Sequence, residues 1–351
     1  MFVEVLRVAG ELGMVKMGNL STDGTKMRAS ASRHKAMSYG YMAKEMARLE
    51  AEVERLLKDA ERLDAEQDAA LGSRRGDELP EELSRREDRL AKIREAKIRL
   101  EAEARAAAEA EQHRRDEAEA RREAEGRRRP GKEPAPIDPI PEAKAQTNFT
   151  DPESKIMKPS NKGFDYSYNA QAVVDGEHQI IVAAEVTRAA NDKQQAVPMG
   201  RAALENLEAA GIPRPKAADG TAAPIPNTAD TGYFSAEAIR GLVPIGLDPY
   251  LAVGRQKHHE VATEPTAVAA EAGAKEQMRR KLATATGKAL YAARKRIVEP
   301  VFGQMKGVRG IRGFLLRGLE KVAAEWQLIC LTHNLLKIWR RGCGAGASAR
   351  G

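Results

Sequence analysis

The stretch TATGKALYAARKRIVEPVFGQMKGVRGIRGFLLRGLEKVAAEWQLICLTHNLLKIWRR, Thr284 to Arg341, sets the frame for reading the rest of the chain. Between Tyr291 and Arg312 it carries six basic side chains, Arg294, Lys295, Arg296, Lys306, Arg309 and Arg312, against one acid, Glu299. Val298, Val301, Phe302 and Met305 fall at spacings of three, one and three, which puts them on one face of a helix that Pro300 is expected to interrupt. A second helical pattern follows in Leu319, Val322, Ala323, Trp326, Ile329, Cys330, His333, Leu336 and Trp339. A lone carboxylate beside packed helices and ringed by cations suits a site that handles phosphate and metal together. A solvated basic helix with one incidental Glu accounts for the same residues.

Upstream, Asp248 to Lys257 (DPYLAVGRQK) reads as a last strand that turns Arg255 and Lys257 toward phosphate. The neighbouring His258-His259-Glu260 lacks the spacing of a zinc site and reads as surface. Two tokens before it, Ala218-Asp219-Gly220 and Ala229-Asp230-Thr231-Gly232-Tyr233-Phe234-Ser235, each place an Asp at a glycine turn, and the second precedes a helix N-terminus that favours anions or bound ions. PIPNT, ahead of Asp230, is a poor buried strand, so Asp219 stands as the alternative strand end. Asn191 or Asp192 is a candidate cap for a helix to about Ala210, ended by Gly211, which Pro198 either makes irregular or starts later. Phe164 to Val174 and Gln179 to Val186 form a β-hairpin about Asp175-Gly176, and turn or strand-end roles explain Asp151, Asp165 and Asp175.

Before the hairpin, Arg127 to Pro141 is too proline-rich for a helix or central strand and reads as a linker. Met42, Met46, Leu49, Val53, Leu56, Ala60 and Leu63 alternate at spacings of four and three, and Leu83, Leu90, Ile93 and Leu100 continue the seam past Gly72, Gly76 and Pro80. Two helices around that turn predict an antiparallel helical hairpin. Asn19 to Ala29 (NLSTDGTKMRA) is a strand-turn candidate with a tight turn at Asp23-Gly24, and Met1 to Lys16 a short amphipathic helix. The resulting division is 1–37; 38–129, a helical hairpin; 130–150, a linker; 151–341; and 342–351, a tail with no reason to fold.

With 351 residues, a net charge of +7 and a pI near 9.3, the chain is long enough for a substantial core, and its basic end favours a polyanionic partner. Two cysteines, Cys330 and Cys343, exclude a disulfide framework or a cysteine metal cluster and suit a reducing cytoplasm. No uninterrupted apolar segment of spanning length and no signal-peptide pattern is present in the sequence.

YAARKRIVEPVFGQMKGVRGIRGFLLRG resembles the C-terminal catalytic signature of DDE-type transposases of bacterial insertion sequences. STDGTKMRASASRHKAMSY, GFDYSYNAQAVVDGEHQIIVAAEVT and ADTGYFSAEAI resemble further segments of that family, in the expected order. The resemblance implies an α/β fold, a ribonuclease-H-like mixed sheet flanked by helices, with the hairpin inserted after the first strand. It further implies that Asp23, Asp230 and Glu299 converge as the catalytic acids and metal ligands for two divalent cations, expected to be Mg²⁺, about 3.5–4 Å apart. Tyr291, Arg294, Lys306, Arg309 and Arg312 are the implied DNA contacts. Glu299 and Lys306 keep the family's interval of six residues, whereas Arg294 stands four residues from Glu299 instead of three, and strict spacing selects Lys295. Implied partners are double-stranded DNA, as terminal inverted repeats and as target, and further copies of the chain, in a cytoplasmic, nucleoid-associated setting. Members of the family carry a helical DNA-binding region ahead of the residues that match here, and the chain is expected to lack it. A noncatalytic DNA-binding or assembly remnant is the competing reading, and a structural coiled-coil protein the third.

Overall fold

The computed structural model describes residues 1–71, 81–126, 131–159, 163–254 and 273–348. In chain order the elements begin with α1 (Phe2–Glu11), β1 (Leu20–Arg28), β2 (Ala36–Ser38), α2 (Tyr39–Leu71), α3 (Glu81–Ala124), β3 (Gln146–Asn148) and β4 (Lys155–Met157). They continue with β5 (Asp165–Asp175), β6 (Ile181–Thr187), α4 (Ala196–Ala209), β7 (Ile225–Ala229), α5 (Ala236–Leu242), β8 (Leu247–Leu251), α6 (Ala274–Ala283), α7 (Ala285–Gly303) and α8 (Leu319–Ser348). Two units emerge, Met1–Ala31 with Glu153–Gly351, and Ser32–Pro152.

The first unit is built on a six-stranded sheet in the order β4-β5-β1-β7-β8, with β6 also paired to β5. β1 runs antiparallel to β5 along its whole length, from Leu20↔Asp175 to Arg28↔Ser167, and parallel to β7 from Leu20↔Asn227 to Thr22↔Ala229. β7 and β8 are parallel. This mixed α/β arrangement is compatible with a ribonuclease-H-like fold. Every residue of β5 is buried, as expected for a strand covered on both faces. Leu6, Met199, Ala203, Leu207, Leu242 and Tyr233 join the apolar side chains of β1, β5, β6, β7 and β8 in one core.

Several local expectations are corrected. Asp23-Gly24 makes no turn, because β5 pairs with β1 along its whole length and the pair sits mid-strand. Gly24 serves a close approach instead: a Cβ there would collide with Gln171 Nε2 and meet Asn169 Oδ1 and Asp192 Oδ1 at 3.0 Å. IPNTA does form a buried strand, β7, its polar Asn227 and Thr228 satisfied by Thr22, Ser21 and the Leu20 carbonyl. Asp219 lies instead in an exposed turn, bonded to Thr221. Pro300 does not interrupt α7. The Arg296 carbonyl that its missing N–H leaves free accepts from Gln179 Nε2 at 2.7 Å, and a π-helical turn, Gln304–Val308, follows. α8 runs on to Ser348, past Gly342, since extending an existing helix needs no new nucleus.

In the second unit α2 and α3 pack through Met42, Leu49, Leu90, Ile93, Ala96 and Leu100. The pairs Tyr39–Glu101, Glu45–Arg89 and Glu52–Arg86 run in opposite sequence directions, so the helices are antiparallel. β2 and β3 pair antiparallel beside them. The expected turn residues Gly72, Gly76 and Pro80 lie outside the described residues, as do Arg255, Lys257, His258, His259 and Glu260.

Candidate active site

Parallel pairing of β1 with β7 ends at Thr22↔Ala229, and the next residues on the two strands are Asp23 and Asp230. Adjacent strands lie about 4.8 Å apart, so the register alone makes these two carboxylates neighbours. Asp230 leaves the strand in extended conformation and caps the turn Thr231–Tyr233, its Oδ1 accepting from the Gly232 N–H at 2.8 Å. Asp23 Oδ1 accepts from the Gly24 N–H at 2.9 Å, and its Oδ2 is ion-paired with Arg294 at 3.0 Å. Arg294 projects from α7 with its guanidinium 5.9 Å from the Tyr291 ring centre.

Burial pushes the Asp23 carboxyl up to about 6, against the lowering pull of Arg294 and with help from the charge of Asp230. For Arg294, burial lowers the pKa, but Asp23, Tyr291 and Asp230 together hold it above its usual range. The Arg294 Nε is buried without a hydrogen-bond partner. An unsatisfied buried donor costs about 1–3 kcal/mol, so an acceptor oxygen that reached this one would be favoured.

Strand alternation sorts the surroundings onto two faces. Asp23 and Thr25 share a face with α7 and the turn after it: Lys306 Nζ donates to Thr25 Oγ1 and reaches the Lys26 carbonyl at 3.5 Å, and burial lowers its pKa. Gly24 and Lys26 face the other way, toward Gln171, Asn169 and Asp192. There Asp192 accepts from Asn169 Nδ2 at 2.7 Å, Gln171 Nε2 at 2.8 Å and Lys26 Nζ at 3.3 Å, while the Tyr233 hydroxyl donates to Gln171 Oε1. Burial, then the charges of Asp192, Asp23 and Asp230, raise the Tyr233 pKa. Sequence reasoning took Asp192 only as a helix cap and passed over Gln171 and Asn169. Asn169 and Gln171 share a face of β5 by strand alternation, but nothing local marks Asp192 as their partner, because the β6–α4 connection brings it there only in the folded chain.

The other implied residues are distributed unevenly. Tyr291, on α7, is half-buried and Arg312 is exposed. Arg309 is turned inward, donating to the Ile329 carbonyl at 2.9 Å and Thr332 Oγ1 at 2.7 Å, so it braces α8. Glu299 stands on the exposed side of α7, because Ile297, Val298 and Val301 take the buried side and one residue past Val298 is about 100° round the helix. Among the described residues, no group of three or more His, Cys, Asp or Glu is placed to hold a metal ion. Asp23 and Asp230 are hard oxygen donors of the kind a magnesium ion takes, and as a pair they fit one such ion. The third carboxylate does not join them in this arrangement, and Arg294 occupies the cation position at Asp23.

The family model described as the transposase DDE domain matches residues 255–339. The matched stretch holds α6, α7 and most of α8, with Arg294, Glu299 and Lys306, and leaves Asp23 and Asp230 outside it. It supports a DDE-type transposase, a family of nuclease and transposase enzymes that generally use divalent metals and act on DNA. No curated protein and no solved structure matches the chain. Among the described residues no helix is long and apolar enough to cross a membrane.

Proposed function

We propose that this chain is the catalytic part of a DNA transposase that cleaves phosphodiesters and transfers strands at the ends of a bacterial insertion sequence. The observation that carries the reading is the juxtaposition of Asp23 and Asp230 at adjoining positions of two parallel strands, with Arg294 of the family-matched helix laid on the first. In the reaction, water attacks phosphorus in line and the 3′-oxygen leaves with a proton; the freed 3′-hydroxyl then attacks a phosphodiester of the target, losing its proton as the target's own 3′-oxygen leaves and takes one up. Bound divalent cations supply a lowered pKa for the attacking water and neutralise charge on the leaving oxygen. Asp23 and Asp230 would hold and orient them once Arg294 leaves Asp23, and Glu299 would join as the third acid on a rotation of α7 that turns its outer side inward. The released Arg294, its Nε already without an acceptor, takes a non-bridging phosphate oxygen, and Lys306 holds the backbone nearby. Residues Ser32–Pro152 form the hairpin-bearing insertion that follows the first catalytic strand. Terminal inverted repeats and target duplex are the substrates, and a homo-oligomer the working form.

Glu299 on the outer side of α7 favours a second reading, a DNA-binding remnant that no longer cleaves. Nicking of supercoiled plasmid in Mg²⁺ or Mn²⁺ decides between them. The first reading expects cleavage that is lost in Asp23→Asn, Asp230→Asn and Glu299→Gln, with duplex binding retained. Absence of cleavage by the unaltered chain, or cleavage unchanged in all three variants, overturns it.

A further inference from the structure

Leu315 and Leu316, in the segment joining the π-helical turn to α8, are 84% and 46% exposed, and Val308 nearby is 80% exposed. Scattered exposed aliphatics on a slack loop need no explanation. This segment, however, is tied down on both sides of the leucines. The Phe314 N–H donates to the Arg28 carbonyl at 2.8 Å, and Gly313 forms a parallel bridge with Arg28 at the end of β1. The buried Phe314 ring packs edge-on against Tyr168 and Trp326, at 6.1 and 6.5 Å. The N–H groups of Leu315 and Leu316 both donate to the Glu325 carboxylate, at 2.9 Å each. Beyond them, Arg317 Nε donates to the Ser30 carbonyl at 2.8 Å and the Leu319 N–H to Glu153 Oε2 at 2.8 Å. The backbone is thus fixed while two leucine side chains are presented to solvent, which is preorganisation of an apolar tip.

The charge around the tip points to its partner. From Pro300 to Leu319 the chain has no acid; the carboxylates that do touch the segment, Glu325 and Glu153, are engaged by its backbone N–H groups, and Arg312 and Arg317, exposed on either side of the leucines, are cations. An apolar tip between two arginines matches a duplex whose backbone is held while a side chain enters a base step. It matches an apolar patch on another protein less well, since that surface would leave both arginines without counter-charges. Resting on the proposed action on DNA, we infer that Leu315 is a wedge that unstacks a base step of the bound duplex, with Arg312 and Arg317 on the flanking phosphates. The tip is bonded to Arg28, five residues along β1 from Asp23. At about 3.3 Å per residue that is roughly 16 Å, or about five base pairs from the acids.

The test uses the full chain without divalent metal, so that no strand is cut. Binding to a mixed-sequence duplex is followed by fluorescence anisotropy across a salt series, and unstacking by permanganate reactivity of thymines. Leu315→Ser should weaken binding about tenfold at every salt concentration, leave the salt slope unchanged, and abolish a thymine hyper-reactivity seen with the unaltered chain. Leu315→Met should retain both. Arg312→Gln should instead lower the salt slope by about one. Unchanged affinity and reactivity in Leu315→Ser overturn the inference while leaving the reading on DNA intact. So does a loss of self-association in that variant, by sedimentation, with duplex binding preserved, because the tip would then contact a second copy. Failure of the unaltered chain to bind any duplex overturns both.

Discussion

Asp23 lies against Arg294, yet its carboxyl is pushed up to about 6 from an ordinary 3.8, because burial outweighs the guanidinium. His333 shows the opposite displacement. It is buried between Gln304 Oε1 and the Gln179 carbonyl, each at 3.1 Å, and burial lowers it from 6.5 to about 4. A carboxyl raised in the fold contributes stability that is complete below pH 3.8 and is lost as pH rises through about 6. An imidazole lowered in the fold contributes stability that is present above pH 6.5 and is lost as pH falls through about 4. Each is worth about 3 kcal/mol over its window, with opposite sign, so the unaltered chain should show little net dependence from these two groups. Urea unfolding at intervals between pH 4 and 7 should unmask them. Relative to the unaltered chain, Asp23→Asn should gain stability as pH rises, and His333→Gln should gain stability as pH falls. Parallel pH profiles for all three proteins would show that neither group titrates as its surroundings dictate. Asp23 itself was picked out by family resemblance, since Asp-Gly read locally as a turn. His333 carried only a helical apolar position in the sequence, and its two partners come from distant segments.

At the scale of elements, Gln179 ties the run from α7 through the π-helical turn to α8 to the β5–β6 connection at three points. Gln179 adopts a φ of +59°, which a side chain other than glycine seldom takes, and it makes three bonds there. Its Nε2 supplies the Arg296 carbonyl that Pro300 leaves open, its Oε1 accepts from Lys337 at 2.5 Å, and its carbonyl meets His333. Gln179→Ala should therefore cost about 2–3 kcal/mol. Pro300→Ala restores an N–H able to reach the same carbonyl, so in that background Gln179→Ala should cost about 1 kcal/mol less. A double-mutant cycle by chemical denaturation measures the coupling, and strict additivity would mean that the proline and Gln179 are not linked through Arg296. The apolar spacing of α7 was legible, including Val298 and Val301 on its buried side. What the pattern could not convey is that a proline inside a helix is tolerated where another element supplies the missing donor.

For the molecule as a whole, the unit Met1–Ala31 with Glu153–Gly351 is discontinuous in sequence, and Ser32–Pro152 lies between its parts. The heptad-like seam read from 38 to 100 treats Leu49 and Leu56 alike, but Leu49 is fully buried while Leu56 is half-buried. Leu49→Asp should thus cost about 3–5 kcal/mol and lower helicity by circular dichroism, and Leu56→Asp only about 1 kcal/mol. Equal losses would mean that the seam is uniformly packed along its length. Hydrophobic period is a local property, and the sequence alone determined what depends on it: the helical or extended character of most segments, the β5–β6 hairpin and the strand at 248–251. Tertiary structure decided which side chains meet. Register between β1 and β7 sets Asp23 beside Asp230, the rotation of α7 puts Arg294 there and turns Glu299 outward, and the path of the β6–α4 connection brings Asp192 onto Asn169 and Gln171 of β5. A one-residue slip in any of these would present different groups while leaving every local pattern intact, which is why composition and spacing could nominate the acids but could not assemble them.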